Sequence, residues 1–141
     1  MKTYKIFTSG KMGGLSYRQQ MEWRREIEKQ IRGQTGKLLT FIHPPMFYQY
    51  RDNEIEAMNW EMNHLIDSDI VIVNLENIAD SIGTHMELGV VDAVNKALPK
   101  NIYVVGIGEP DTSHPWISNS LFHTEECIED AAEYIVSHLL L

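Results

Sequence analysis

The sequence is poor in cysteine, in positive charge and in long apolar runs. Cys127 is the only cysteine, so one chain offers neither an internal disulfide nor a set of thiolates for a metal. Lysine and arginine number 12 against 20 aspartates and glutamates, and the net charge of -8 argues against a nucleic-acid-binding surface. No apolar run approaches the roughly 20 residues of a membrane span, and the first residues contain no signal-peptide core. These absences predict a soluble cytoplasmic protein that binds neither nucleic acid nor membrane.

Several motifs that define catalytic or cofactor sites are also missing. None of the six histidines forms an i,i+4 pair or an HExxH motif, so we expect no metal site. No serine occupies a G-x-S-x-G elbow, which argues against an α/β-hydrolase. The first glycine-rich loop matches neither a Walker loop nor a dinucleotide fingerprint. That loop also lacks the run of serines and threonines expected around a flavin phosphate, so we expect no cofactor.

Apolar and amphipathic segments alternate along the chain in the manner of an α/β protein. The apolar runs predict strands at residues 4–9, 37–43, 70–75, 101–106 and 121–123. The amphipathic runs predict helices at residues 17–32, 54–66, 86–98 and 125–140. This alternation predicts one open, mainly parallel sheet with helices on both faces, in a single domain over 1–141. We expect the strand order 2-1-3-4-5 of flavodoxin-like folds.

Local motifs predict where two helices begin and which face a third one buries. Ser16 and Gln19 match a capping box at the start of the first helix. Thr124 is the expected N-cap of the last helix. The helix over 54–66 carries an apolar series at helical spacing, which predicts its buried face: Ile55, Met58, Met62 and Leu65.

The stretch from residue 80 to residue 89, Asp-Ser-Ile-Gly-Thr-His-Met-Glu-Leu-Gly, joins the third strand to the central helix. A loop between a parallel strand and a helix is where α/β proteins place ligand chemistry. Glu87 would lie in the first turn of the helix, where the helix dipole favours an ionised carboxylate. Thr84 and Glu87 also match a capping box, which gives both residues a purely structural explanation. Both interpretations remain open on the local pattern.

The expected strand order brings the loops at residues 9–16 and 76–87 together across one crevice. Backbone amides, hydroxyls and one cation there suit a phosphate or another small anion: Ser9, Gly10, Lys11, Gly13, Gly14, Ser81 and Gly83. Glu61 offers a second carboxylate, and paired carboxylates can perform glycosidic chemistry. Two structural interpretations also stay open: the glycines as a plain turn, and Glu61 as a residue of the solvated surface.

Residues 69–75, followed by Ser-Ile-Gly-Thr-His-Met-Glu-Leu-Gly at 81–89, resemble the signature of the nucleoside 2-deoxyribosyltransferase family. The resemblance implies a flavodoxin-like fold and cleavage of the N-glycosidic bond of (deoxy)nucleosides or their 5′-monophosphates. It makes Glu87 the nucleophile that forms a glycosyl-enzyme intermediate, and Glu61 the acid that handles the leaving base. Transfer to a free base and hydrolysis by water are both known outcomes of this chemistry.

Three positions distinguish the branches of that family. Ser81 stands where transferases acting on free deoxynucleosides usually carry an acid, and an acid there would repel a 5′-phosphate. This favours hydrolysis of nucleoside 5′-monophosphates over base exchange on free deoxynucleosides. Glu61 replaces the usual aspartate, and Phe7 falls near a tyrosine that orients the nucleophile in transferases. A module that binds nucleotides without catalysis therefore also remains a hypothesis.

The resemblance further implies a homodimer or a higher homo-oligomer. Family members often complete the site with a C-terminal loop of a neighbouring subunit, and His114 and Asn119 are the candidates for that contribution. The expected partner is thus a second copy of the chain and a small-molecule nucleoside or nucleotide.

Overall fold

The computed structural model describes residues 2–48, 53–109 and 114–141. Its five strands form one sheet in the order β2-β1-β3-β4-β5, and every pairing of neighbouring strands is parallel. The chain therefore has a flavodoxin-like fold, and the predicted strand order is confirmed. The strands are β1 (Thr3–Ser9), β2 (Leu38–Ile42), β3 (Ile70–Asn74), β4 (Tyr103–Ile107) and β5 (His123–Glu125).

Helices connect the strands and cover both faces of the sheet. They are α1 (Tyr17–Arg32), α2 (Pro44–Tyr48), α3 (Glu54–Ile66), α4 (Ile82–Ala97), α5 (Pro115–Ser118) and α6 (Ile128–Tyr134). A 3-10 turn, Ile78–Asp80, precedes α4, and a π-helical turn, Ile135–Leu139, continues α6. Within the described residues, no helix combines the length and apolar character needed to cross a membrane.

The first helix begins where its capping box predicts. The Ser16 hydroxyl accepts a hydrogen bond from the Gln19 amide at 3.2 Å, and the Gln19 side chain accepts one from the Ser16 amide at 2.9 Å. These two bonds satisfy amides that a helix start leaves without partners. The helix ends at Gly33, whose amide binds the Lys29 carbonyl.

Two apolar cores lie on opposite faces of the sheet. Ile6 of β1 packs with Ile27 of α1 and Ile135 in the core beneath α1 and α6. The next residue, Phe7, packs with Leu65 of α3 and Leu88 of α4 in the other core. This alternation along β1 follows from the two-residue period of a strand. It aims neighbouring residues at the end of β1 toward different helices.

The start of α4 differs from its prediction. The helix begins at Ile82, directly after the 3-10 turn, and Ser81 is its N-cap residue. Thr84 is thus already inside the helix, and the predicted capping box with Glu87 is wrong. Glu87 is the sixth helical residue rather than a residue of the first turn. The N-terminal dipole consequently contributes less to the ionisation of Glu87 than the sequence pattern predicts.

The last strand and helix are also displaced from their predicted positions. Thr124 pairs with Gly106 inside β5, so it does not cap α6, which starts at Ile128 after Cys127. The gain of a parallel ladder on β4 outweighs the local capping signal of Thr124.

The buried face of α3 is rotated away from the predicted one. Ile55 and Met58 are 71% and 57% exposed, whereas Ala57 and Leu65 are almost completely buried. Glu61 lies between those two at four-residue spacing, so α3 directs this carboxylate toward the side that packs on the protein. Ile55 and Met58 were expected in the core because they are hydrophobic and lie at helical spacing. That prediction is wrong, since hydrophobicity alone does not identify which face of a helix meets a neighbour.

Candidate active site

A crevice of about 390 Å³ lies beyond the carboxyl end of β1, where the loop over 10–14 faces the start of α4. The strand order predicts this meeting of the two loops, and carboxyl ends of parallel strands are the usual place for a ligand site. Residues from four segments line the crevice: Gly10, Lys11, Met12, Gly13, Tyr48, Glu61, Asp80, Ser81, Ile82, Gly83, Thr84 and Glu87.

Glu87 is the buried carboxyl group of this crevice. Its side chain is only 9% exposed, although it lies on a helix that reaches the surface. Ser9, the last residue of β1, donates a hydrogen bond to Oε1 of Glu87 at 3.2 Å. Ser9 is itself fully buried, so it serves the site by holding Glu87 rather than by an open contact with a ligand.

Glu61 reaches the same crevice from α3. The Tyr48 hydroxyl donates to Oε2 of Glu61 at 2.7 Å. Burial, together with that hydrogen bond, raises the pKa of Tyr48, which therefore stays a neutral donor. Glu61 and Glu87 line the same crevice, and Glu61 is close enough to raise the pKa of Glu87. Two acidic side chains on separate helices thus meet at one point.

Burial is the largest cause that raises the pKa of Glu87 well above its ordinary value, and the neighbouring Glu61 raises it further. The Ser9 hydroxyl and the Arg24 guanidinium act in the opposite direction. Oε2 of Glu87 is buried without a hydrogen-bond donor among the described residues. Two ionised carboxylates cannot donate to each other, so Oε2 gains a partner when the pair holds one proton. The arrangement favours one shared proton and one negative charge.

The glycine loop is shaped by close contacts and by hydrogen bonds to its carbonyls. A Cβ at Gly10 would lie 2.8 Å from Cζ2 of Trp23, so any larger residue there would have to displace the Trp23 ring. Gly14 has a φ of +78°, in the left-handed region that favours glycine. The Gln20 amide donates to the Met12 carbonyl at 2.9 Å and to the Leu15 carbonyl at 3.0 Å. This loop is therefore held from α1.

The opposite wall of the crevice is the first turn of α4. The hydroxyls of Ser81 and Thr84 are buried and lie 2.6 Å apart. Gly83 is exposed, and a Cβ there would meet no atom within 4 Å, so this turn leaves room for a ligand. Lys11 reaches the crevice from the glycine loop across from it.

Five predicted substrate contacts do not line this crevice: Phe7, Ser9, Gly14, His114 and Asn119. Phe7 is fully buried in the core with α3 and α4, because the alternation of β1 turns it into the sheet interior. His114 and Asn119 flank α5, on a different part of the surface, beside Trp116. The His114 ring lies 6.2 Å from the His85 ring rather than near Glu87. A direct substrate contact by Phe7 is therefore wrong, and His114 and Asn119 do not share a site with Glu87 within one chain.

Sequence analysis missed Arg24 and Tyr48. Arg24 is fully buried behind the glycine loop. Its signal was present, because it shares helical spacing with the buried Met21, Ile27 and Ile31. Tyr48 gave no comparable signal, since the described part of its helix has only five residues and begins with two prolines.

No group of three or more histidine, cysteine, aspartate or glutamate side chains is arranged to hold a metal ion in the parts of the chain that the structure describes.

No protein-family model and no curated protein matches the chain. Among solved structures, oxidised flavodoxin 1 from Bacillus cereus is similar, with a TM-score of 0.44 and 14% identity over 98% of this chain and 99% of that one. At this level the similarity carries no argument about activity. The fold assignment rests on the strand order and the parallel pairings themselves.

Proposed function

We propose that the protein cleaves the N-glycosidic bond of nucleosides or their 5′-monophosphates, with a preference for hydrolysis of the monophosphates. One observation carries the proposal: α3 and α4 bring the carboxyl groups of Glu61 and Glu87 together in a crevice, opposite a glycine loop. Paired carboxyl groups that share a proton supply the acid and the nucleophile that glycosidic cleavage needs. The resemblance of residues 69–89 to nucleoside 2-deoxyribosyltransferases supports the same assignment.

In the proposed reaction, a carboxylate oxygen of Glu87 forms a bond to the anomeric carbon of the sugar while the bond to the base nitrogen breaks. The electron pair of that bond leaves with the base, which takes up the proton held between Glu87 and Glu61. Water then attacks the anomeric carbon of the glycosyl ester. Its oxygen stays on the sugar, its proton returns to Glu61, and Glu87 leaves as a carboxylate.

The preference for a 5′-phosphate depends on the glycine loop and the first turn of α4. Backbone amides and Lys11 offer favourable partners for an anion. Asp80, Glu61 and Glu87 also line the crevice, so the phosphate must lie against the loop and away from these carboxylates. Ser81 and Gly83 add no negative charge to that end.

A chromatographic assay tests the proposal, with deoxynucleosides and their 5′-monophosphates, each with and without an added free base. We expect free base from the monophosphates, and no release by Glu87→Gln. Glu76→Gln, which changes an exposed carboxylate after β3, is the matched control and should retain full activity. Full activity of Glu87→Gln would refute the assigned nucleophile.

The same assay separates the alternatives. A new nucleoside that forms only with added base would show a transferase and would contradict the preference for hydrolysis. Saturable nucleotide binding in calorimetry, without any base released over a long incubation, would show a non-catalytic binding module.

We also propose that the protein forms a homodimer or higher homo-oligomer. Large apolar side chains are exposed on consecutive turns of α4, where Ile82 is 77% and Met86 63% exposed. Such side chains support an interface with a second copy. Light scattering should give at least twice the monomer mass, and the substitution Met86→Glu should lower it; a monomer at all concentrations would contradict this proposal.

A further inference from the structure

Arg24 is a buried charged residue that lies outside the crevice but acts on two of its walls. Its side chain is 0% exposed. Nη2 donates to the Gly10 carbonyl at 3.2 Å, Nε donates to the Thr8 hydroxyl at 3.2 Å, and Nη1 donates to the Gln20 carbonyl. Complete burial of a guanidinium is costly, and it occurs only where hydrogen bonds and opposite charges compensate the loss of hydration.

The end of β1 separates Arg24 from the carboxyl pair. Thr8 faces α1, where it binds Arg24, and the next residue, Ser9, faces α4, where it binds Glu87. Burial lowers the pKa of Arg24 to about 10, while Glu87 and Glu61 favour its charged form across the strand. The positive charge of Arg24 therefore remains at neutral pH, across the strand from the carboxyl groups of Glu87 and Glu61.

The bond to the Gly10 carbonyl also determines the direction of the next amide. Carbonyl and N–H point in opposite directions in a trans peptide, and the described residues contain no cis peptide. Because Arg24 holds the Gly10 carbonyl toward α1, the Lys11 N–H points away from α1. The bond from Gln20 to the Met12 carbonyl has the same consequence for the Gly13 N–H. Lys11 and Gly13 both line the crevice, together with Gly10 and Met12.

A second layer of hydrogen bonds fixes the guanidinium itself. The Thr8 hydroxyl lies 2.8 Å from Nδ1 of His43, and Nε2 of His43 lies 2.6 Å from Oε1 of Glu28. Burial lowers the pKa of His43, which favours the neutral ring. A neutral ring that donates to Glu28 accepts from the Thr8 hydroxyl, which also lies 3.3 Å from the Ile42 carbonyl. Thr8 is then left with free acceptor capacity for Nε of Arg24.

We propose that Arg24 is a positioning residue for the site: it directs the Lys11 amide toward an anionic group of the substrate and stabilises the carboxylate form of Glu87. This inference rests on the proposed function. Arg24 touches neither the crevice nor the reacting atoms, so it acts only through Gly10 and through its charge. The charged and titratable groups that face Glu87 are Glu61 on α3, Tyr48 on α2 and Arg24 on α1, with Lys11 and Asp80 in the crevice.

Three variants test this role: Arg24→Met, Arg24→Lys and the control Arg25→Met, which removes an exposed charge from the next position of the same helix. Kinetics from pH 5 to 9 with a deoxynucleoside and its 5′-monophosphate separate the two effects. For Arg24→Met, we expect the acid limb of kcat/KM to move up by about one pH unit or more. Lysine keeps the charge but loses the planar fork. Arg24→Lys should therefore keep the acid limb and raise KM for the monophosphate more than for the nucleoside.

The proposal would be overturned if Arg24→Met and Arg24→Lys both had the same acid limb of kcat/KM as Arg25→Met and the same ratio of KM for the monophosphate to KM for the nucleoside. If a thermal scan shows that Arg24→Met is unfolded, the KM ratio of Arg24→Lys decides alone, and an unchanged ratio overturns it. If the wild-type protein releases no base, the proposed function fails, and carbon NMR of the glutamate carboxyls still tests Arg24. A titration midpoint of Glu87 that is higher in folded Arg24→Met than in Arg25→Met would support the role of the charge. A midpoint that is higher in Arg24→Lys than in Arg25→Met would contradict it, because lysine keeps the charge.

Discussion

The substitution Glu87→Gln should stabilise the protein above neutral pH while it abolishes turnover. Glu87 is buried beside Glu61, and its Oε2 has no hydrogen-bond donor within the described residues. Glutamine keeps the shape, still accepts from Ser9 through its oxygen, and adds an amide that donates to Glu61. Relief of a buried acceptor without a partner is worth about 1–3 kcal/mol. At roughly 2–4 °C for each kcal/mol, the Tm at pH 8 should rise by about 5 °C.

The gain should depend on pH, because the pKa of Glu87 is higher in the folded chain than in the unfolded chain. The folded state then binds the extra proton, so stability from Glu87 is fully present below the unfolded pKa and is lost as pH rises through the folded pKa. Glutamine does not titrate, and the advantage of the variant should therefore disappear near pH 4.

Thermal unfolding followed by circular dichroism at pH 4, 6 and 8 measures this difference. Glu76→Gln, at an exposed carboxylate, is the matched control and should leave the Tm within about 1 °C at each pH. A Tm of Glu87→Gln at pH 8 equal to or below that of the wild type would refute the account of the carboxyl pair, as would an equal gain at pH 4.

Two further predictions concern the supports of the site. Gly10→Ala should destabilise the fold by about 1–3 kcal/mol, because the added Cβ would lie 2.8 Å from Trp23, whereas Gly36→Ala meets no atom within 4 Å. Equal denaturant midpoints for these two variants would contradict the close approach. His43→Gln should reduce the loss of folding stability that occurs below about pH 6.5. Burial lowers the pKa of His43 in the folded chain. The stability that its neutral form contributes is therefore present above the unfolded pKa of 6.5 and is lost as pH falls through the folded pKa. A parallel decline of both proteins between pH 7 and pH 5 would show that His43 does not titrate as described.

The fold was predictable because its signals are local and regular. The alternation of apolar strands with amphipathic helices determines the class, and right-handed crossovers leave few strand orders. The capping box of Ser16 and Gln19 forms as predicted because it depends only on residues three positions apart. The box predicted for Thr84 failed because the 3-10 turn Ile78–Asp80 starts α4 earlier, which no pattern within residues 84–87 reveals.

The site was predictable only in part. Residues that follow strands, such as Glu87 and the glycine loop, were found because strand ends of a parallel sheet converge. Arg24 was missed because a charged residue on a helix is ordinarily assigned to the solvent side, although its spacing matches the buried Ile27 and Ile31. The exposure of Ile55 and Met58 shows the converse error, since apolar character does not say which neighbour a helix face meets.

The alternation of Thr8 and Ser9 at the end of β1 has a consequence for engineering the protein. At this strand end, Ser9 contacts Glu87 of the crevice, whereas Thr8 contacts Arg24, which shapes the glycine loop from α1. Substitutions on α1 at Gln20 would therefore change the amide directions of the glycine loop without altering any side chain that lines the crevice. Selection for a new anionic group could begin on that helix and leave the carboxyl pair untouched.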